Sequence, residues 1–352
     1  MDHVDTRCLP TAYSLHAGQV DARSQVLDIL YGQWSAAILR ALADLSIADH
    51  LAAGPLSAST IAERMGSVPD RTFRLLRAAQ VIGLVAFDSN AEFSTTPMLD
   101  TLRTDSPDSL RPIVLGNAAP WATLAWTLLP EAVRAGIQPA KTALKADLFD
   151  YLQANPAQRE EFSAFMAGLT TLWAQDAADL IDTTGVRCAV DIGGASGSFL
   201  RLLQQRNPAL NDIIFDRPEV IDVVKSTVAT SEFGHRTKTV AGDFFTSVPA
   251  ADLYLLKMIL HDWNDANCER ILTRCREALQ PGGRVMIIEM LVGEVGRPGF
   301  AAMLDLNMMA LCPDGRERTV DEFDTLLAAA GLTRSATHLV PTGQSLIEAR
   351  AA

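Results

Sequence analysis

From about residue 183 onward the chain alternates short apolar runs with helical stretches, and this alternation constrains the fold more than any other feature. Residues 189–192, 212–215, 238–240, 253–257 and 285–290 read as strands, and 199–205 and 266–278 as intervening helices. Strands separated by helices imply a parallel sheet wound on both faces. The end of the chain breaks the alternation. Residues 335–340 and 345–350 flank a turn at 341–344, so the last strand is expected antiparallel to its neighbour.

The preceding part has a different texture. Between residues 26 and 178 the pattern is mainly helical, with Leu39, Leu42, Ile47 and Leu51 at helix spacing. Ser57 and Thr60 offer N-caps to a first short helix, and Pro69 opens a second that stops at Gly83. Residues 84–87 and 92–95 then form two short strands around a turn at 88–90, which completes a winged-helix outline. Nucleic acid is a poor partner for this module. Across residues 55–105, Arg64, Arg71, Arg74, Arg77 and Arg103 face six acids (Glu63, Asp70, Asp88, Glu92, Asp100 and Asp105). A recognition helix needs a positive surplus to neutralise phosphates. The formal net charge of −12 also disfavours anionic membranes. The first twenty residues lack an apolar run, so no signal peptide is expected; no run of 18 apolar residues suggests a membrane span, and cysteines without a paired pattern fit a reducing cytoplasm. The five cysteines, Cys8, Cys188, Cys268, Cys275 and Cys312, are scattered without a CxxC. They read as buried thiols rather than a metal framework. The domain reading is a winged-helix-like module over 1–110, a helical segment over 111–178 and an α/β domain over 179–352.

Residues 191–197, DIGGASG, end the first strand of that domain and open a helix. Glycines there let the backbone turn sharply and come close to a ligand. A GxGxxG dinucleotide fingerprint would need glycine where Ala195 and Ser198 stand, and no Lys-Ser/Thr follows Gly197 as a phosphate loop requires. The next strand ends at Asp216, placed to accept hydrogen bonds from the two hydroxyls of a ribose. The third is followed by Asp243, which can accept from an adenine amino group, and Phe244, which can pack on its ring. Lys257 closes the fourth. Four successive strand ends therefore carry ligand-type groups at the edge where open α/β sheets bind ligands. Taken singly, an Asp at a strand end can equally be a helix cap.

Beyond Lys257 on the same edge comes His261. Glu289 lies inside the apolar run 285–291, where an unpartnered carboxylate would be costly. Glu317 sits between Arg316 and Arg318 in a loop, and a solvated surface acid is the alternative reading for it.

The runs DIGGASG, FDRPEVI (215–221), GDFF (242–245) and LKMILHDWND (256–265) together resemble the bacterial and plant small-molecule O-methyltransferases. The resemblance extends over nearly the whole chain. It implies an α/β, Rossmann-like methyltransferase sheet, mostly parallel with an antiparallel last strand. It also implies a mainly helical, winged-helix-like N-terminal domain that makes a homodimer. S-adenosyl-L-methionine is the implied cofactor, contacted by Gly193, Asp216, Asp243, Phe244 and Lys257. Thr170 matches more loosely a serine near the cofactor's methionine end. Ala195 and Ser196 replace a usual Gly-Thr, and Arg217 a usual Leu. His261 matches the catalytic histidine, with Glu289 and Glu317 matching the acids that orient its ring; no metal is implied. The implied reaction is methyl transfer to a hydroxyl oxygen of a small, aromatic natural product. Asn307, Met303, Met308, Met166, Phe162 and Trp263 are candidates for the acceptor pocket, with core packing the alternative for the methionines and aromatics. N-methylation, or hydroxylation or decarboxylation on the same scaffold, is a rival reading. A ligand-sensing DNA-binding regulator is a more distant one.

Overall fold

In the computed structural model, residues 21–352 are described apart from 233, 298, 341 and 342. The expectations placed on the first twenty residues, on Cys8 and on the tip of the final turn at 341–342 lie outside the described residues. The chain divides into two compact units at Ala118/Ala119. The helix Arg111–Asn117 therefore belongs with the first unit rather than with the segment that follows it.

The first unit is mainly helical. Its longest helix, Ala22–Asp44, is capped by the Asp21 carboxylate accepting from the Ser24 amide. The helix Ala58–Met65 starts on Ser57, whose hydroxyl accepts from the Thr60 amide, and stops at Gly66 in the left-handed region. Pro69 opens the next helix, Pro69–Val81. Strands β1 (Val85–Phe87) and β2 (Phe93–Thr95) pair antiparallel as a hairpin. The core between these elements contains Leu42, Ile47, Leu51, Ile61, Leu76 and Phe93. The long helix also presents Val26, Ile29, Leu30 and Trp34 to solvent, 50–81% exposed. That spacing puts them on one face.

The second unit is built on a seven-stranded sheet. Its strands are β3 (Ala189–Ile192), β4 (Asp212–Asp216), β5 (Thr237–Ala241), β6 (Ala251–Lys257), β7 (Leu279–Glu289), β8 (Leu332–His338) and β9 (Ser345–Ala351). The order is β5-β4-β3-β6-β7-β9-β8; β9 alone runs against its neighbours, pairing antiparallel with β7 and β8. The chain order reverses at β3, so β3 and its neighbours β4 and β6 flank the switch point where such sheets take ligands. Both faces are covered. One packs Tyr254, Leu256, Ile271, Cys275 and Phe323, the other Phe199, Leu203, Leu253, Met286 and Ile288. Val190 and Ala189, adjacent in sequence, go to opposite clusters, as the twofold period of a strand requires. A separate cluster joins Trp121, Ala125, Leu148 and Leu152 to Met308 and Leu311.

Candidate active site

The loop after β3 is shaped by three residues with positive φ: Gly193 (66°), Ala195 (44°) and Gly197 (70°). The Gly193 amide donates to the Phe215 carbonyl at 2.8 Å, which ties the loop to the end of β4. A Cβ at Gly193 would stand 2.5 Å from Cδ1 of Ile259. Glycine thus lets the loop pack against the segment that leads to His261.

Asp216 closes β4. Its two carboxylate oxygens accept from the amides of Ala195 at 2.9 Å and Arg217 at 2.7 Å. Each oxygen retains a second lone pair for an outside donor. Burial pushes this carboxyl up, while the two amides pull it back. Asp243 is exposed just past β5 and accepts from the Phe245 amide at 2.8 Å. Phe244 stands edge-on to Trp263, with centroids 5.9 Å apart. Phe245 also meets Trp263, at 4.8 Å. Trp263, a candidate for the acceptor pocket, therefore shares an aromatic wall with the expected adenine partner. Lys257 ends β6; burial pushes its ammonium down and the carboxylates of Asp191 and Glu289 push it back up. Carboxylates for hydroxyl and amino groups, an apolar wall for a ring and a glycine loop for close approach fit an adenosyl group chemically. Among the described residues, these would hold S-adenosylmethionine.

The base region is built by one short turn. After Lys257, Met258 takes a left-handed φ of 54°, which a side-chain-bearing residue rarely adopts. A single 3-10 turn, Leu260–Asp262, follows and carries His261. Glu289, at the end of β7, lies beside it. One of its oxygens, Oε1, accepts from the amides of Ile259 and Leu260 at 3.1 Å and of His261 at 3.4 Å. The other, Oε2, is 3.5 Å from Nδ1 of His261 and has no hydrogen-bond partner among the described residues. The burial cost that made a carboxylate in this strand surprising is offset in part by three backbone donors to Oε1. Glu317 is 4% exposed, which excludes the solvated-loop alternative. Its Oε1 lies 2.9 Å from Nδ1 of His261. Its backbone amide donates to Asp305, on the helix Ala301–Leu311, at 2.9 Å. Burial by itself depresses the imidazole, but Glu289, Glu317 and Asp262 outweigh it and raise the ring to about 10. Burial likewise pushes the Glu289 carboxyl up.

The residues expected to line the acceptor pocket are divided. Phe162 packs edge-on to Trp121, and Met308 is buried in the same cluster. Met303 is 57% exposed. Asn307 accepts from the Trp126 indole N–H at 3.1 Å, which fixes its amide with the NH2 free to donate. The Thr170 hydroxyl donates to the Met166 carbonyl at 2.9 Å within their helix. Three contributors are assigned no site role by the sequence reading: Asp305 behind Glu317, Trp126 behind Asn307, and Arg318, 1% exposed beneath the histidine turn. A long side chain that crosses to another element leaves no periodic trace. For Arg318, the only cue was a cation next to a candidate acid.

Comparison with known proteins decides the family. Residues 126–333 match the family described as the O-methyltransferase domain, and residues 27–105 match the O-methyltransferase dimerisation domain. The chain belongs to the O-methyltransferase family. It is 33% identical to a phenazine O-methyltransferase of Lysobacter antibioticus over 95% of this chain and 98% of that protein. The human N-acetylserotonin methyltransferase, solved in complex with S-adenosylmethionine, is similar at a TM-score of 0.88 and 25% identity, covering 96% of this chain and all of that one. A neocarzinostatin-biosynthesis O-methyltransferase, solved with S-adenosylmethionine and 2-hydroxy-5-methyl naphthoic acid, aligns at 0.77 and 29% identity over 90% of this chain and 96% of the other. The protein is thus an S-adenosylmethionine-dependent O-methyltransferase. Among the described residues no helix is long and apolar enough to cross a membrane.

Proposed function

We propose that this O-methyltransferase methylates a hydroxyl on a small aromatic molecule, with His261 as general base. The contact of His261 Nδ1 with Glu317 at 2.9 Å, beside the ligand-binding edge of the sheet, carries the reading. Bound S-adenosylmethionine supplies an electrophilic methyl group and a neutral thioether leaving group. The protein's task is to align the acceptor and take its proton. Because Nδ1 is turned to Glu317, Nε2 is the nitrogen left to receive that proton. The acceptor O–H bond breaks as its electron pair forms the new O–CH3 bond, and the C–S bond electrons leave with sulfur. Glu317 and Glu289 then face an imidazolium, whose charge they stabilise.

The ring must be neutral to act. The neutral fraction grows as pH rises toward about 10, so turnover is expected to climb with pH through the neutral range. The Asn307 amide, with its oxygen committed to Trp126, can donate to an oxygen of the acceptor. The exposed face Val26, Ile29, Leu30 and Trp34 lies within or beside the matched dimerisation region and supports assembly as a homodimer.

The test is a panel of aromatic hydroxyl compounds with isotopically labelled S-adenosylmethionine, read by mass shift, using native protein and His261→Gln. The native protein is expected to methylate at least one compound, and the variant to bind cofactor normally while losing about 10²–10⁴-fold in turnover. Near-normal turnover in the variant removes the base role.

A further inference from the structure

Arg318 is charged, fully enclosed and surrounded by the turn that carries His261. Burying a guanidinium is costly unless its donors are met, so its placement calls for a reason. Its Nη1 donates to the Leu260 carbonyl at 2.9 Å, and Nη2 to the Trp263 carbonyl at 2.7 Å. Nε and Nη2 both reach Oδ1 of Asp265, at 3.1 and 2.7 Å. Leu260 and Trp263 bracket the histidine. The carbonyl of His261 itself accepts from the Arg316 amide at 2.8 Å. On the opposite side the same turn gives its amides to Glu289. The turn is therefore gripped at its N–H end by a carboxylate and at its C=O end by a cation.

We propose that Arg318 is a positioning residue for methyl transfer, holding the turn Leu260–Asp262 so that the His261 ring meets Glu317 on one side and the acceptor on the other. This deepens the proposed role of His261 as base and rests on it. The planar fork suits the task, because one group spans two carbonyls at fixed separation. A lysine ammonium reaches one of them at a time. Arg318 also follows Glu317 directly, so the same stretch of loop fixes both the base and the acid that orients it.

Two readouts separate positioning from mere support. In Arg318→Met, kcat is expected to fall about 10²-fold, the scale of a misplacement near 1 Å. The dissociation constant for S-adenosylhomocysteine by calorimetry should change less than about threefold, and Arg318→Lys should recover part of the rate. Nitrogen-15 histidine spectra add a measurement independent of turnover: the titration of His261 should move down when its contact with Glu317 loosens. If Arg318→Met keeps kcat and the His261 titration of the native protein, Arg318 does not position the base. An equal loss in cofactor affinity and kcat likewise overturns the proposal, since the change is then general. Should Arg318→Met fail to fold, Asp265→Asn serves, because that carboxylate is 64% exposed. It is expected to lower kcat roughly 2- to 5-fold with unchanged cofactor affinity, and an unaltered kcat would refute the clamp. If His261→Gln keeps near-normal turnover, the reading of the base itself has failed, independently of Arg318.

Discussion

Replacing Glu317 by Gln keeps the shape of the side chain and an oxygen for His261 while deleting one charge. In the native protein His261 is raised from 6.5 to about 10. That gap of about 3.5 units corresponds to about 5 kcal/mol favouring the imidazolium, at about 1.36 kcal/mol per unit. It is what remains after burial, which acts in the other direction, has been overcome by Glu289, Glu317 and Asp262. Glu317 makes the closest contact with the ring, at 2.9 Å, against 3.5 Å for Glu289 and 3.8 Å for Asp262. An opposite charge this close shifts a pKa by about 1–3 units, so deleting it while keeping the oxygen lowers the ring by about 1–2 units, to roughly 8–9. The sign is fixed: removing a negative neighbour makes the proton easier to lose. Nitrogen-15 histidine spectra across pH 6–11 read this in the free protein, without knowledge of the acceptor. In turnover, the rise of rate with pH should begin about 1–2 units earlier and level off lower, because a weaker base takes the acceptor's proton less readily. A native ring that titrates near 6.5, or a midpoint that Glu317→Gln leaves unmoved, refutes the reasoning.

Other outcomes follow from the same geometry. Asp216→Ala should weaken S-adenosylhomocysteine binding about 10- to 100-fold by calorimetry, from loss of charge-assisted hydrogen bonds of about 1.5–3 kcal/mol; unchanged affinity contradicts the ribose assignment. Gly193→Ala forces a side chain into φ 66°, a cost of about 1–2 kcal/mol, seen as a lower thermal midpoint. At Gly315 a Cβ would lie 2.7 Å from Cβ of Cys312 and 3.0 Å from the His261 carbonyl. Gly315→Ala should therefore push on the histidine turn and reduce kcat, with cofactor affinity kept as the control. Ile29→Asp, on the exposed helix face, should shift sedimentation from dimer toward monomer; a native protein already monomeric removes that face from the dimer model.

The sequence carried the sheet and its rim because those signals are local. A strand announces itself through a short apolar run, and its end through the residue that stops it, so β3 was read at Ala189–Ile192, where it is found, and Asp216 and Lys257 were read as strand ends. The antiparallel tail was equally legible, from two strand-like runs separated by a turn. His261, Glu289 and Glu317 stood out as residues whose chemistry was out of keeping with their surroundings. Tertiary structure decided what those residues do to each other. Glu289 is 28 positions from His261 and Glu317 is 56, and only the closing of the sheet and the return of the loop bring both carboxylates to one imidazole nitrogen. The basicity of that ring comes from charges at a few ångströms in a buried site, which no local pattern encodes. The same holds for Arg318, which looked like one of two loop cations flanking an acid until the fold wrapped the histidine turn around it. Local residue order specifies which elements form, whereas interactions that fall off with distance through space depend on where the fold puts their ends.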